Sequence, residues 1–415
     1  MRLLLLAVAG SLALSGCHGK TDPPGAAPTG VTPKAGDGLA VIQWDTLPDL
    51  TYWIFYEPGS TVAVATPESI AIRRALSPRV VTNLANGLQY AFVMNATRDD
   101  SAAGPNSLPV FATPRLAGKD WVPGKPLGTP PQNLRSMVFT GARFVAVGDA
   151  ATIFAGDLNY TNVDPPGVTV WTPPTLPTGF AANLTSVIFN GTFVALGEDG
   201  SIILSADGIT WTSAGSVGAA GMLGLTFGFL PGSGVPTYVA VGTGGRIFVG
   251  SADLTTWTPA PSGTTNDLNS IAVVNGVFTI TGSGGTLLVS QNGTQWTSQV
   301  SNTTNTLRSV AFNPLLPIHY AAVGDAGTVI VSTDGVTDWT PIAPPPVPQD
   351  LRSVTVGGAS GTRFLAVGLN GAVVHSDDGM KWDVASSGTS NLAKAIFTSG
   401  MYLAVGDAGA NVVAQ

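Results

Sequence analysis

The feature that most constrains this chain is a repeat that runs through its last 300 or so residues. Six segments open with Leu-x-Ser followed by alternating apolar positions, or with a close variant: Leu134-Arg-Ser-Met-Val-Phe139, Leu184-Thr-Ser-Val-Ile-Phe189, Leu268-Asn-Ser-Ile-Ala-Val273, Leu307-Arg-Ser-Val-Ala-Phe312, Leu351-Arg-Ser-Val-Thr-Val356 and Leu392-Ala-Lys-Ala-Ile-Phe397. Met222-Leu-Gly-Leu-Thr-Phe227 is a seventh, more degenerate copy. Each is followed by a second apolar stretch ending in glycine, at Gly148, Gly197, Gly242, Gly282, Gly324, Gly368 and Gly406. Turns such as Asp325-Ala-Gly327 then lead into a third stretch. A unit of this size cannot bury its apolar face alone, so neighbouring units must stack.

Three or four short strands per repeat imply the blades of a β-propeller. The composition agrees. Charged residues are only 10% of the chain, with 52 glycines and 31 prolines, which favours tight turns over surface helices. Tryptophans give the number of blades. Trp44 and Trp53 fall in an earlier segment, leaving Trp121, Trp171, Trp211, Trp257, Trp296, Trp339 and Trp382. Trp121 precedes the first repeat, and the last repeat ends at Gln415 without a tryptophan. Asp120-Trp-Val is therefore expected to supply the outer strand of the last blade, closing seven blades with N- and C-terminal strands. Closure removes two open sheet edges.

The third strand of most repeats ends in a box of the form Ser-x-Asp-Gly-x-x-Trp. The instances are Ser205, Asp207 and Trp211; Ser251, Asp253 and Trp257; Ser290, Asn292 and Trp296; Ser332, Asp334 and Trp339, with one extra residue; and Ser376, Asp378 and Trp382. The first repeat keeps only Asp157 and a distant Trp171. The boxes resemble the Asp boxes of BNR-type propellers, which include sialidases, sortilin-like receptors and photosystem II assembly-factor-like proteins. The resemblance covers about 115–415. It implies a structural role for the boxes, on the third-to-fourth-strand hairpins and away from known active sites. Physically, an aspartate can accept backbone N–H bonds in a hairpin turn while the tryptophan packs beside it.

The inventory for catalysis is poor. Sialidases use an arginine triad, an acid and a Tyr/Glu nucleophile pair, yet this region holds one glutamate, Glu198. A carbohydrate-active, sialidase-like enzyme remains the alternative reading, and it would need aspartates converging in a pocket. The histidines are His18, His319 and His375, too scattered to imply a metal site. No phosphate loop, zinc motif or nucleophile elbow occurs. The expectation is a binding protein that is not an enzyme, with no cofactor and no metal. A net charge of −7 argues against nucleic-acid binding.

The N-terminus reads as a processing signal over 1–17. Arg2 precedes an apolar run from Leu3 to Leu14, shorter than a membrane span. It ends in Leu14-Ser15-Gly16-Cys17, which resembles the lipobox of bacterial lipoprotein precursors. That resemblance implies lipidation of Cys17, the sole cysteine, and anchoring in the cell envelope. His18 after the cysteine, where inner-membrane retention uses Asp, points to the outer membrane, periplasmic or surface-exposed. A Gly- and Pro-rich tether over 18–27 follows. Leu39-Ala-Val-Ile-Gln-Trp44, Tyr52-Trp-Ile-Phe-Tyr56 and Leu84-Ala-Asn-Gly-Leu-Gln-Tyr90 then alternate as strands of an antiparallel sandwich. Over 28–114 the pattern resembles a fibronectin type III domain, on Trp44, Tyr52, Ile54, Tyr56, Leu84, Gly87 and Tyr90. The fold expectation is thus all-β: a fibronectin type III sandwich followed by a seven-bladed Asp-box propeller (115–415).

One pattern marks a candidate site. Arg135, Arg308 and Arg352 occupy the same position in their repeats, where the others have Thr185, Leu223, Asn269 and Ala393. They are expected to ring one mouth of the central channel, on the face opposite the Asp boxes, and to bind an anionic group of a protein or glycan partner. The turns on the same face carry Asp149, Glu198, Asp325 and Asp407, so pairing with these acids is the competing expectation.

Overall fold

In the computed structural model the described residues are 22–64, 70–98, 100, 102–159, 167–230, 232, 234–274, 277–358, 361–398 and 400–414. The apolar N-terminal run, Cys17 and His18 lie outside them. The described elements are strands and single 3-10 turns. The chain falls into two compact units. One holds the residues through Lys34 with Ile42–Arg79 and Leu88–Ala112, and the other holds Ala35–Val41, Val80–Gly87 and Thr113–Gln415.

The N-terminal part forms two antiparallel sheets. A four-stranded sheet runs in the order Ile70–Ala75, Thr51–Pro58, Tyr90–Thr97, Val110–Ala112, and a three-stranded sheet in the order Thr32–Gly36, Leu39–Gln43, Arg79–Val81. The aromatic alternation of the central strand explains its placement. Tyr52 and Ile54 are buried, and Trp44 packs its ring 5.6 Å from that of Tyr52. The Tyr52 hydroxyl accepts the Leu47 N–H at 2.8 Å. Tyr90 is buried as well.

The remainder forms seven further four-stranded antiparallel sheets among the described residues. Their first strands are Leu134–Phe139, Leu184–Phe189, Met222–Phe229, Leu268–Val274, Leu307–Phe312, Leu351–Gly357 and Leu392–Thr398, numbered here as sheets one to seven. Sheets one to six each take four strands in chain order. Sheet seven takes three C-terminal strands and completes itself with Trp121–Pro123, which pairs antiparallel with Asn411–Ala414 (Val413 opposite Val122). Each first strand packs on the next, and the seventh packs on the first, so the sheets form a closed ring.

The repeat explains this packing. The leading Leu or Met of all seven first strands is fully buried. Burying one such side chain is worth roughly 1.5–3 kcal/mol, and here the burial is repeated at every joint. At the joint of sheets seven and one, Leu134, Met137 and Phe144 interleave with Met401, Leu403 and Val405. An aromatic residue opens the inner part of every second strand (Phe144, Phe193, Tyr238, Phe278, Tyr320, Phe364, Tyr402), each at most 8% exposed. In five sheets it lies within 6.5 Å, ring to ring, of the tryptophan of its own sheet.

Two local devices fix the inner rim. The pairing of each first strand with its second skips one residue just after the leading Leu or Met, so the second position is the extra residue of a bulge. A bulge re-aims its side chain, and this is the position of Arg135, Arg308 and Arg352. The glycine ending each second strand answers to close approach. A Cβ at Gly324 would lie 1.9 Å from the Thr306 carbonyl oxygen, and one at Gly406 would lie 1.9 Å from that of Asn391.

Candidate functional site

The two faces of the ring are built from different turns. On one lie the hairpins between third and fourth strands, which carry the boxes. In the box of sheet two, Asp207 Oδ1 accepts the N–H groups of Ile209 and Thr210, both at 2.8 Å, and the Ser205 hydroxyl at 2.9 Å. Ser205 Oγ accepts the Gly208 N–H at 2.8 Å, and the Trp211 indole donates to the Gly208 carbonyl at 3.1 Å. Asp378 repeats this with Met380 and Lys381, and Asn292 with Thr294 and Gln295. In the box of sheet three, Leu254 takes the glycine's place at φ 62° and still accepts the Trp257 indole. The extra residue in the box of sheet five, Asp338, has a different effect. Asp334 keeps its two backbone donors, but Trp339 Nε1, fully buried, has no partner among the described residues.

These bonds hold the box carboxylates ionised. The backbone N–H groups of Thr210 and Ile209 lower the Asp207 pKa to about 2, and the Ser251 and Thr255 hydroxyls lower that of Asp253 to about 2. Sequence reasoning missed a further element of this kind, the seventh. Gly118-Lys-Asp-Trp121 repeats the Gly-x-x-Trp spacing, and the Trp121 indole donates to the Gly118 carbonyl at 3.0 Å. The strand that completes sheet seven thus brings half a box with it.

A second missed pair uses this face. Arg143 and Arg363 each begin a second strand. Arg143 clamps Asp157 at 2.7 and 3.0 Å and donates to the Asp207 carbonyl of the next sheet at 2.7 Å. Arg363, 2% exposed, clamps Asp377 at 2.6 and 2.9 Å and donates to the Ala117 carbonyl at 2.8 Å. Asp207 and Ala117 both precede a Gly-x-x-Trp segment, so the two arginines make the same staple. Asp157 is therefore tied up structurally, in the repeat whose box has decayed. Beside it lies an open groove of about 620 Å³ lined by Arg143, Asp157, Phe189 and Asp207. Burial, and then the charge of Arg363, pushes the His375 pKa down.

The opposite face carries the candidate site. There the residue before each first strand accepts, through its backbone carbonyl, the N–H that follows the second-strand glycine. Examples are Asp149 N–H to Asn133 at 2.9 Å and Asp407 N–H to Asn391 at 3.0 Å. In five joints its side chain also reaches back to the preceding sheet's turn. Asn183 accepts Ala150 N–H, Asp267 Gly244 N–H, Asp350 Ala326 N–H, Asn391 Asn370 N–H, and Asn133 Ala408 N–H, at 2.8–3.0 Å. The last of these joins sheet seven to sheet one. The signal was present in the sequence as Asn or Asp before the leading leucine, but only the ring shows what it bonds to.

The three arginines stand on this rim, and the competing expectation describes their geometry. Arg135 Nε donates to Asp149 Oδ1 at 2.5 Å, with Glu198 3.8 Å from its Nη1. Arg308 pairs with Asp325. Arg352 reaches the next sheet and donates to both oxygens of Asp407, at 2.9 and 3.1 Å. Asn133 and Asn391 donate to the same two aspartates, at 3.0 and 3.1 Å. The guanidinium side chains remain 31–38% exposed. The rim is thus a set of partly exposed ion pairs, not a row of free cations.

No family model and no curated protein matches the chain. Solved structures do. A structure described as YCF48 bound to D1 peptide aligns at a TM-score of 0.52 and 16% identity over 71% of this chain and 96% of its own. YCF48 from Cyanidioschyzon merolae aligns at 0.50 and 15% identity, over 71% and 98%. A catalytically inactive virginiamycin B lyase from Staphylococcus aureus with quinupristin aligns at 0.58 and 9% identity, over 72% and 99%. The shared property is the propeller fold. A peptide-bound protein and a lyase both stand among these similar propellers, so fold alone does not fix activity.

Carboxylate chemistry bears on the enzymatic alternative. Every described carboxylate with a displaced pKa is displaced downward: Asp157, Asp207, Asp253, Asp334, Asp377 and Asp378. A glycosidase's general acid needs the opposite shift. Among the described residues no group of three or more His, Cys, Asp or Glu is placed to hold a metal ion.

Proposed function

We propose that this chain is a lipid-anchored cell-envelope scaffold in which a fibronectin type III-like module carries a seven-bladed Asp-box propeller, and that the arginine-bearing rim of the propeller binds a protein partner. The observation that carries this reading is the rim itself. Arg135, Arg308 and Arg352 present partly exposed guanidinium groups, each paired with a carboxylate. Alternating donors and acceptors of this kind suit the backbone and charged side chains of a peptide segment. The peptide complex of a similar propeller supports a protein over a glycan. The strand order of the two N-terminal sheets supports the fibronectin-like module. Anchoring rests on the lipobox ending in Cys17.

The test is capture of partners from solubilised envelope by the full chain and by a variant with all three arginines changed to alanine. Loss of a specific partner with unchanged circular dichroism supports the reading. Identical capture by both proteins overturns it. For the anchor, Cys17→Ser should move the protein from the membrane to the soluble fraction.

A further inference from the structure

The third position of the first strand is a serine in five sheets: Ser136, Ser186, Ser270, Ser309 and Ser353. In three of the joints this serine accepts the N–H at the fourth position of the next first strand. Val187 N–H reaches Ser136 at 3.2 Å, Val354 N–H reaches Ser309 at 3.1 Å, and Ala395 N–H reaches Ser353 at 3.4 Å. Sheet seven has Lys394 there. A lysine cannot accept that bond, and the joint of sheets seven and one has no counterpart to it among the described residues. Lys394 also has no hydrogen bond or ion pair with any described residue, unlike the rim arginines.

The placement makes this more than a local defect. By the geometry of the serines, Lys394 leans over the joint towards sheet one, where Ile396, two residues on, packs with Met137 and Leu134. It is one residue further along its strand than the position that carries the rim arginines in other sheets. Above it, the position held by arginine in sheets one, five and six is Ala393, which leaves its approach open. The charged groups on the flanking strands are committed already, Arg135 to Asp149 and Arg352 to Asp407. The residue is half-buried, so its side chain keeps partial access to solvent. Burial holds its ammonium below the usual lysine range. A half-buried cation with no partner among the described residues, at a position where serine ties the sheets together in three other joints, is the kind of local exception that concentrates at functional sites.

We infer that Lys394 is a carboxylate-binding site inside the channel mouth, taking the acidic side chain or terminus of the segment that the rim receives. This rests on the reading of the rim as a binding surface. A carboxylate is favoured over a dianion because one ammonium supplies a single positive charge, the flanking Arg135 and Arg352 being neutralised by Asp149 and Asp407.

The test needs no partner. Full-length protein is labelled with a limiting amine-acylating ester across a pH series, alone and with acetate, acetamide or inorganic phosphate, and each lysine is read by peptide mass spectrometry. Lys394 is expected to label with a midpoint below those of the exposed Lys119, Lys125 and Lys381. Acetate should raise that midpoint while acetamide leaves it in place; one pH unit of movement leaves about tenfold less free amine below it. Lys394→Ser, which restores the serine of the other sheets, should fold with an unchanged or higher Tm. Titration of Lys394 together with the surface lysines, or equal acetate effects on all of them, would overturn the site. Stronger protection by phosphate would overturn its carboxylate preference. If acetate leaves the Lys394 midpoint unmoved while the arginine variant still loses its partner, the rim reading stands and this one fails; the reverse pattern separates them the other way.

Discussion

Asp207→Ala tests whether the boxes are structural. Asp207 Oδ1 accepts two backbone N–H groups at 2.8 Å and the Ser205 hydroxyl at 2.9 Å, all within one turn. Removing a side-chain acceptor of this kind from a helix cap costs about 0.5–2 kcal/mol, and bonds to a charged acceptor sit at the upper end. The turn is solvent-exposed, which softens the loss, so about 1–1.5 kcal/mol is expected for alanine. For a ring of this size that corresponds to a fall in Tm of roughly 2–5 °C. The protein contains its own control in Asn292, whose amide oxygen accepts the equivalent N–H groups at 3.0 and 2.9 Å. Asp207→Asn should therefore cost less than half as much as alanine. The two variants also separate by pH. Bonding depresses the Asp207 pKa from 3.8 to about 2, so its stabilisation is fully present above the unfolded value and is lost as pH falls through the folded one. Thermal or urea unfolding at pH 7 and again between pH 4 and pH 2 would show the gap between wild type and Asp207→Ala closing in acid. Equal stability of the alanine, asparagine and wild-type proteins at pH 7, or a gap that widens in acid, would refute the reasoning.

Three further perturbations follow from the same geometry. Deleting Asp338 restores the box spacing of sheet five and should give the buried Trp339 indole its carbonyl partner, raising stability by about 1 kcal/mol in urea unfolding; a loss of stability would count against the orphaned donor. Gly324→Ala places a Cβ 1.9 Å from the Thr306 carbonyl oxygen and should cost about 1–3 kcal/mol, whereas alanine at Gly263, with nothing within 4 Å but φ +75°, should cost less. His375→Phe should flatten part of the acid limb of stability. Burial lowers the folded pKa below 6.5, so native His375 resists protonation and its stabilisation is lost as pH falls below 6.5 towards the folded value. Unfolding curves from pH 7.5 to pH 5 check this, and parallel curves for the two proteins would exclude the histidine.

Repeat, box and glycine were legible because each is a demand of local geometry. The leading leucines announced burial, the second-strand glycines a close backbone approach, and Ser-x-Asp-Gly-x-x-Trp a hairpin whose donors the aspartate satisfies. Even closure could be read, since Trp121 stood before the first repeat and the last repeat lacked its tryptophan; Val413 opposite Val122 is that pairing. The candidate site was legible only as a position. Arg135, Arg308 and Arg352 shared a register, but a sequence cannot say that Arg352 would leave its own sheet for Asp407, or that Arg143 and Arg363 would staple one sheet to the next. Those bonds join residues tens to hundreds of positions apart, and their energies depend on distances of a few tenths of an ångström that only packing sets.

The sequence by itself determined the strands, their turns and the stacking of equal units, because periodicity and turn chemistry act over a few residues. The tertiary structure alone decided which charges are neutralised across the joints and that Lys394 has no partner among the described residues. A closed ring brings every unit against two neighbours, and electrostatic pairing is settled by who the neighbours are.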